Sequence, residues 1–364
     1  MDFSLTELQR SVQDRADTLA KELLRSSWKE WDNHHEFPLG ALREMAKLGL
    51  MGVNVSKDFG GLEAGVLSYS AAVQKIAWGD PAVAVTMCVN NMVAEVLQEF
   101  GNPRHKSFIP KLLNGEENSG SFCLSEAGSG SDAAGMQTNA RKVEGGFLLN
   151  GSKAWITSGE FAGAYLVWSQ VENGGKKSIT VFFVERGAEG VSFGLPEQKM
   201  GQHASNTVVV SFDDVLVPED SVLGTLGEGF KVAMMALDGG RIGIASQSVG
   251  IADAMISEAE TYGVDPGSYW RGRVEAARLL VWKAAFLKEK KLAFTYEASM
   301  AKLYASETAC ALGDELIQRV GAKAALGDTF FAKLLRDARV TRVYEGTSEV
   351  QRIVIARELD RRAS

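Results

Sequence analysis

The stretch 120–149, GSFCLSEAGSGSDAAGMQTNARKVEGGFLL, decides how the rest of the chain is read. Short β-branched and aromatic runs alternate here with turns built on Gly and Asn, a texture that begins near Gly115. It predicts strands at 120–124, 138–143 and 146–149, with a hairpin turn at Glu144-Gly145-Gly146. The pattern continues at 165–170, 179–185 and 208–215, with a second hairpin signal at Asn173-Gly174-Gly175. These runs predict a compact β domain in the middle of the chain.

Upstream, Leu5, Leu8, Val12, Leu19 and Leu23 fall on one helical stripe, and Ser4 with Glu7 has the spacing of a capping box. Helical patterns continue through Leu42, Met45 and Leu48, then over 69–78 and 82–100. Breakers close them at Gly49 and Gly52, Gly60-Gly61, Gly79-Asp80-Pro81 and Gly101-Asn102-Pro103. Downstream of Pro218, helical patterns return over 229–238, 241–262, 274–289, 295–320 and from 332 to the end, interrupted by a Gly/Pro-rich break at 263–267. The reading is α+β, with a helical unit at 1–115, a β unit at 116–222 and a second helical unit at 223–364.

Composition bounds the function. The 364 residues carry 39 Lys+Arg against 46 Asp+Glu, a formal net charge of -7. Such a chain lacks the basic footprint of a nucleic-acid binder, although a small polyanion needs only a local Arg or Lys. Cys88, Cys123 and Cys310 are far apart, which argues against a disulfide framework or a zinc site. The start has no signal-peptide pattern and no run approaches a membrane span, so a cytoplasmic protein without membrane contact is expected. His34, His35, His105 and His203 sit in polar, loop-like contexts without metal-ligand spacing, and no metal is expected.

Four motifs are candidates for chemistry, each with a plainer reading beside it. The stretch Leu124-Ser125-Glu126-Ala127-Gly128-Ser129-Gly130-Ser131-Asp132 follows a predicted strand but fails the dinucleotide fingerprint. It reads as a surface loop or as a cradle of small residues for a flat ring or phosphate. Trp155-Ile156-Thr157 is a core Trp at a domain edge, or an indole and hydroxyl that pack and bond an aromatic cofactor. Leu237-Asp238-Gly239-Gly240-Arg241 sits between helical stretches, where Arg241 binds a phosphate or pairs with Asp238 as a cap. Tyr344-Glu345-Gly346-Thr347-Ser348-Glu349 precedes the last helix, and Glu345 is a capping acid or a base.

Taken in order with Trp31-Asp32, Phe37-Pro38, Phe59-Gly60-Gly61-Leu62, Lys153-Ala154 and Lys199-Met200-Gly201, these segments resemble the flavin-dependent acyl-CoA dehydrogenase family over nearly the whole chain. The resemblance implies an N-terminal helical domain, a central β-barrel-like domain and a C-terminal four-helix bundle, with FAD between the last two. It places Phe122, Leu124, Ser125, Gly130 and Ser131 along the flavin and thioester, and Trp155 and Thr157 against the ring. It sets Thr347 and Glu349 farther along the cofactor, Asp238 and Arg241 at CoA, Gly346 flat against the thioester and Glu345 as base. Gly240 occupies the position where some relatives carry an alternative base. Glu345 would take the α-proton of a saturated acyl-CoA while hydride leaves the β-carbon for flavin N5, giving a trans-2-enoyl-CoA. Electrons would pass to an electron-transferring flavoprotein near Trp155. A homodimer or homotetramer is implied.

Three departures from the family pattern are legible. Gly263-Val264-Asp265-Pro266-Gly267-Ser268-Tyr269-Trp270 replaces a longer Arg-x-x-Phe-Gly segment, and Gly321-Ala322-Lys323-Ala324-Ala325 replaces a Gly-rich one. Both replaced segments grip the ADP half of FAD across a subunit interface. His203 stands where Arg is common. They leave as an alternative an acyl-CoA-binding homologue with weak or no FAD binding, acting as sensor or scaffold.

Overall fold

The computed structural model describes residues 5–173 and 176–363. The N-terminal helices are α1 (Glu7–Leu19), α2 (Arg25–His34), α3 (Leu39–Lys47), α4 (Val66–Gly79), α5 (Pro81–Phe100) and α6 (Pro103–Asn114), with a π turn at Ala20–Leu24 between the first two. The capping box of α1 belongs to Thr6 and Gln9, whose side chains each bond the other's backbone N–H. The expected partner Ser4 lies outside the described residues. Asp80 caps α5 through bonds from Ala82 and Val83 N–H, with Pro81 at the first helical position. The next breaker does more than stop α5, because Asn102 caps α6 and Pro103 opens it. His105 completes that cap and is fully buried, so the expected loop-like context does not hold for it.

The middle sheet holds β1 (Gly120–Cys123), β2 (Asn139–Val143), β3 (Gly146–Thr157), β4 (Ala164–Asn173), β5 (Lys176–Glu185), β6 (Val191–Phe193), β7 (Thr207–Pro218) and β8 (Val222–Leu223). Among the described residues the order is β6-β7-β3-β2-β4-β5-β8, with β1 parallel to β4 at its side. Phe147 on β3 and Phe182 on β5 meet at 5.1 Å although two strands separate them, so the sheet curls over its own core. The other face of β4 and β5, through Leu166, Trp168, Val181 and Phe183, packs on the helices. Two buried faces explain why β4 reads as a continuous apolar run rather than an alternating one. The Glu144-Gly145 turn joins β2 to β3 with Gly145 at φ 85°. The second expected turn, at Gly174-Gly175, lies outside the described residues.

Two expectations for the sheet need correction. The strand expected at 146–149 runs on to Thr157, with register shifts after Leu149 and after Lys153. Trp155 therefore lies inside β3 rather than past a strand. The bulge absorbs the irregularity that hid the continuation.

The C-terminal helices are α7 (Gly229–Thr261), α8 (Ser268–Glu289), α9 (Thr295–Val320), the short α10 (Ala322–Ala325), α11 (Phe330–Arg339) and α12 (Ser348–Ala363). Gly239 and Gly240 do not separate two helices; both lie inside the 33-residue α7. Each glycine costs about 1 kcal/mol of helix stability relative to Ala. They are tolerated because neighbours approach the helix closely, as the site below shows. The pattern expected from 332 to the end is broken between α11 and α12 by a 3₁₀ turn and a loop. Helices α7, α8 and α9 pack together, with α11 and α12 against α9 and α4 against α7. Among the described residues no helix is long and apolar enough to cross a membrane, and no cluster of His, Cys, Asp or Glu could hold a metal.

Candidate active site

The loop between α11 and α12 carries Glu345 in a left-handed conformation at φ 53°, followed by Gly346 at φ 86°. A non-glycine residue there is uncommon, and neighbours hold it in place from both sides. Tyr344 donates its hydroxyl to Gln247 Oε1 at 2.5 Å and accepts from Gln202 Nε2 at 3.0 Å. Gln351 Nε2 donates to the carbonyls of Glu345 and Gly346, each at 3.0 Å. Lys302 Nζ, from α9, donates to the Gly346 carbonyl at 2.6 Å. The cap of α12 falls to Thr347, whose Oγ1 accepts from Val350 N–H. Glu345 is free of the capping role that its position before a helix suggests.

Its carboxyl turns inward instead. A Cβ on Gly240 would overlap Glu345 Oε2 and lie 2.8 Å from Cδ, so the carboxyl rests on the bare backbone of α7. Oε2 is shielded from solvent and has no hydrogen-bond partner. Desolvation raises the Glu345 pKa to about 7, with Arg241 and Lys302 pulling the other way. One turn along α7, a Cβ on Gly243 would lie 2.6 Å from Tyr69 Oη and 3.2 Å from Cys88 Sγ. Those two groups, from α4 and α5, close the space beyond the carboxyl.

Asp238 and Arg241 form an ion pair along α7, and Arg241 also donates to Ser299 Oγ at 3.3 Å. Asp238 accepts from Thr295 Oγ1 at 2.5 Å, and burial raises its pKa. The pair sits mid-helix, so it caps nothing. Arg241 is buried with Nε unpartnered, while Asp238 is the more exposed of the two.

On the sheet side, the ends of β1 and β3 are tied together. Ser121 Oγ donates to Thr157 O at 2.8 Å, and Ala154 N–H to Ser125 O at 2.9 Å. Beneath them a buried pair, Glu126 with Lys153 at 2.9 Å, fixes the loop that follows β1. Lys153 also holds the Leu124 carbonyl, and Glu126 accepts from Gln137 and Thr138 N–H. Trp155 stands 59% exposed at φ 62°. Added Cβ atoms at Gly128 and Gly130 would meet nothing within 4 Å, and Gly130 and Ser131 are exposed.

The structure thus groups Phe122, Leu124, Ser125, Trp155 and Thr157 at one sheet end, and Glu345, Gly346, Asp238 and Arg241 at α7. A single apolar cluster containing Phe122, Leu124, Leu237, Ile244 and Tyr344 joins the groups. Thr347 and exposed Glu349 stay at the start of α12, and no contact joins them to the sheet among the described residues. Sequence reading missed Lys302, Tyr69, Cys88, Gln202 and Gln247. Only Lys302 left a signal, as the one cation beside the small-residue stripe Ala298, Ala301, Ala305 and Ala309 of α9.

A helical unit, a sheet and a helical bundle that meet at a shielded carboxyl beside an exposed indole define a scaffold for flavin-dependent oxidation of a thioester. Models of the N-terminal, middle and C-terminal domains of acyl-CoA dehydrogenases match residues 6–116, 121–215 and 269–359. The chain is 37% identical to the short-chain specific acyl-CoA dehydrogenase of Bos taurus mitochondria, over 98% of this chain and 90% of that protein. The short-chain specific enzyme of Clostridium acetobutylicum is 34% identical over 99% and 100% of the two chains. The structure of butyryl-CoA dehydrogenase from Megasphaera elsdenii superposes with a TM-score of 0.94 at 37% identity, over 99% and 100%. A chain in a structure of the electron transferring flavoprotein of Acidaminococcus fermentans matches with a TM-score of 0.94 at 34% identity, over 99% of each chain.

The chain belongs to the acyl-CoA dehydrogenase family. It is an FAD-dependent oxidoreductase with an N-terminal helical, a middle sheet and a C-terminal helical domain. Its residues fit that cofactor, because the exposed indole, the open loop over Gly128 and Gly130, and the unpartnered Glu345 oxygen leave a flat, polar-edged space for a ring and a thioester.

Proposed function

We propose that this enzyme oxidises short saturated acyl-CoA thioesters to trans-2-enoyl-CoA, with Glu345 as the base that removes the α-proton. The observation that carries this reading is the shielded, unpartnered Glu345 oxygen resting on Gly240, with a pKa near 7. A carboxyl with that pKa is half ionised near neutral pH, where a general base works best. FAD, when bound, accepts the hydride lost from the β-carbon. Gly346, at φ 86° and without a side chain, lets the thioester lie against the backbone, and the Glu345 N–H is placed to stabilise charge on its carbonyl oxygen.

Asp238, the more exposed of its pair, faces CoA, while buried Arg241 acts on Glu345 through its charge. Phe122, Leu124, Ser125, Gly130 and Ser131 line the flavin and thioester, Trp155 and Thr157 pack on the ring, and Thr347 and Glu349 meet the cofactor farther out. The floor made by Tyr69 and Cys88 lies three residues along α7 from Gly240, roughly 4.5 Å of helix rise. It leaves room for an acyl chain of about four carbons, in keeping with relatives named for short chains.

Several wider features belong to the same reading. The working units divide near residues 115 and 222, the electron acceptor is an electron-transferring flavoprotein docking near Trp155, and the enzyme acts in the cytoplasm as a homodimer or homotetramer. The altered 263–270 segment is tied down by Arg271 and Arg319, which bond Asp265 and Pro266. With 321–325 it offers little to the ADP half of FAD, so the cofactor is held less tightly than in relatives with the full segments. The enzyme reading displaces a binding-only scaffold, which has no use for a shielded carboxyl poised near pH 7.

The test is anaerobic titration of the purified yellow protein with butyryl-, octanoyl- and palmitoyl-CoA. Bleaching by butyryl-CoA alone, abolished in Glu345→Gln, supports the reading. A protein that binds butyryl-CoA and FAD without bleaching would sink it.

A further inference from the structure

Lys302 is a lysine with no exposed surface, set on the small-residue face of α9. Its ammonium is desolvated, which lowers its pKa to about 8 against the opposing pull of Glu345. A buried cation is costly unless it is paired, and this one has its recorded hydrogen bond to a backbone carbonyl rather than to a carboxylate. That carbonyl belongs to Gly346, the residue after Glu345.

We propose that Lys302 is a positioning residue for Glu345: its ammonium holds the Gly346 carbonyl, fixes the two successive left-handed residues, and sets the charge environment of the carboxyl resting on Gly240. The inference rests on Glu345 being the base and adds what keeps that base usable. Gln351 bonds the same carbonyl from α12, but it is neutral. Lys302 is therefore the anchor that also carries charge. The groups whose charges act on Glu345 or on Lys302 are few. They are Tyr69 on α4, Cys88 on α5, Arg241 on α7, Glu307 on α9 and Glu349 on α12. Asp238 largely neutralises Arg241, since the two are paired. Lys302 lacks such a carboxylate partner of its own, so it supplies the less compensated positive charge. Its loss raises the Glu345 pKa and leaves less carboxylate at neutral pH.

The experiment compares the holoenzyme with Lys302→Met and Lys302→Arg by two readouts. The first is the infrared band of the protonated Glu345 carboxyl followed against pH, assigned by difference from Glu345→Gln. The second is the pH profile of flavin bleaching by butyryl-CoA. In Lys302→Met the carboxyl band should persist about one pH unit higher, and bleaching at pH 7 should fall several-fold and recover as pH rises. Lys302→Arg, which keeps the charge, should leave the band at its native pH. Band and profile unmoved in Lys302→Met, with only a lower melting temperature, would overturn the proposal and leave a purely structural lysine. So would the same displacement in Lys302→Arg, a result that is informative even if the Met variant fails to fold. Normal bleaching by Glu345→Gln would instead remove the base reading itself.

Discussion

Trp155 and Glu345 share an uncommon left-handed backbone, at φ 62° and 53°, yet their side chains have opposite fates. The indole stands 59% exposed at the end of a bulged strand, whereas the carboxyl of Glu345 is shielded against a helix. Each strained residue is held by a neighbouring charge that has no exposed surface. On the sheet side it is Lys153, paired with Glu126 beneath the flavin loop; on the bundle side it is Lys302, bonded to Gly346. The difference is one of task. A surface that receives a cofactor must stay open, while a base must be kept from water until substrate arrives, and strain at both persists only because the surroundings over-determine it.

The comparison can be broken at several points. Lys153→Met leaves Glu126 buried without its cation and should lower stability by about 3–5 kcal/mol, read by chemical denaturation of the apoprotein. A change within 1 kcal/mol would show that the sheet side is not held by that pair. Gly240→Ala pushes a methyl into the Glu345 carboxyl and should slow bleaching by butyryl-CoA on the order of 100-fold with FAD still bound, as small displacements of a catalytic group do. An undiminished rate would mean the carboxyl works from elsewhere. Trp155→Gly removes the left-handed strain and should stabilise the apoprotein by about 1 kcal/mol while weakening FAD binding, up to about tenfold. Tightened or unchanged FAD binding would separate the indole from the cofactor. Tyr69→Phe should have the smallest effect, about 1 kcal/mol or less, on the preference for butyryl- over octanoyl-CoA in competition kinetics.

The sequence showed the helical, sheet and helical order because breakers and β-branched runs mark it locally, and α9 was legible to the residue at both ends. It hid α6, because Asn102 and Pro103 stop one helix and start the next with the same signal. It hid the unity of α7, because Gly239-Gly240 looks like a break until Glu345 is seen resting on Gly240. Glu345 itself was ambiguous from its neighbours, since an acid just before a helix reads as a cap. Only family resemblance singled it out, and the structure then freed it of that role by giving the cap to Thr347. Lys302 and the Tyr69–Cys88 floor were invisible because their meaning lies in contacts between elements far apart in sequence.

The most direct test of the account is the pH dependence of the first turnover, measured by anaerobic stopped-flow bleaching of the flavin with saturating butyryl-CoA. Glu345 acts only when ionised, and its pKa is raised to about 7 by desolvation, so the rate should be full above that pH. Below it the rate should fall about tenfold per pH unit, and Glu345→Gln should show no such limb because it does not bleach. A native rate that stays flat down to pH 5, or a Glu345→Gln variant that bleaches at the native rate, would contradict it.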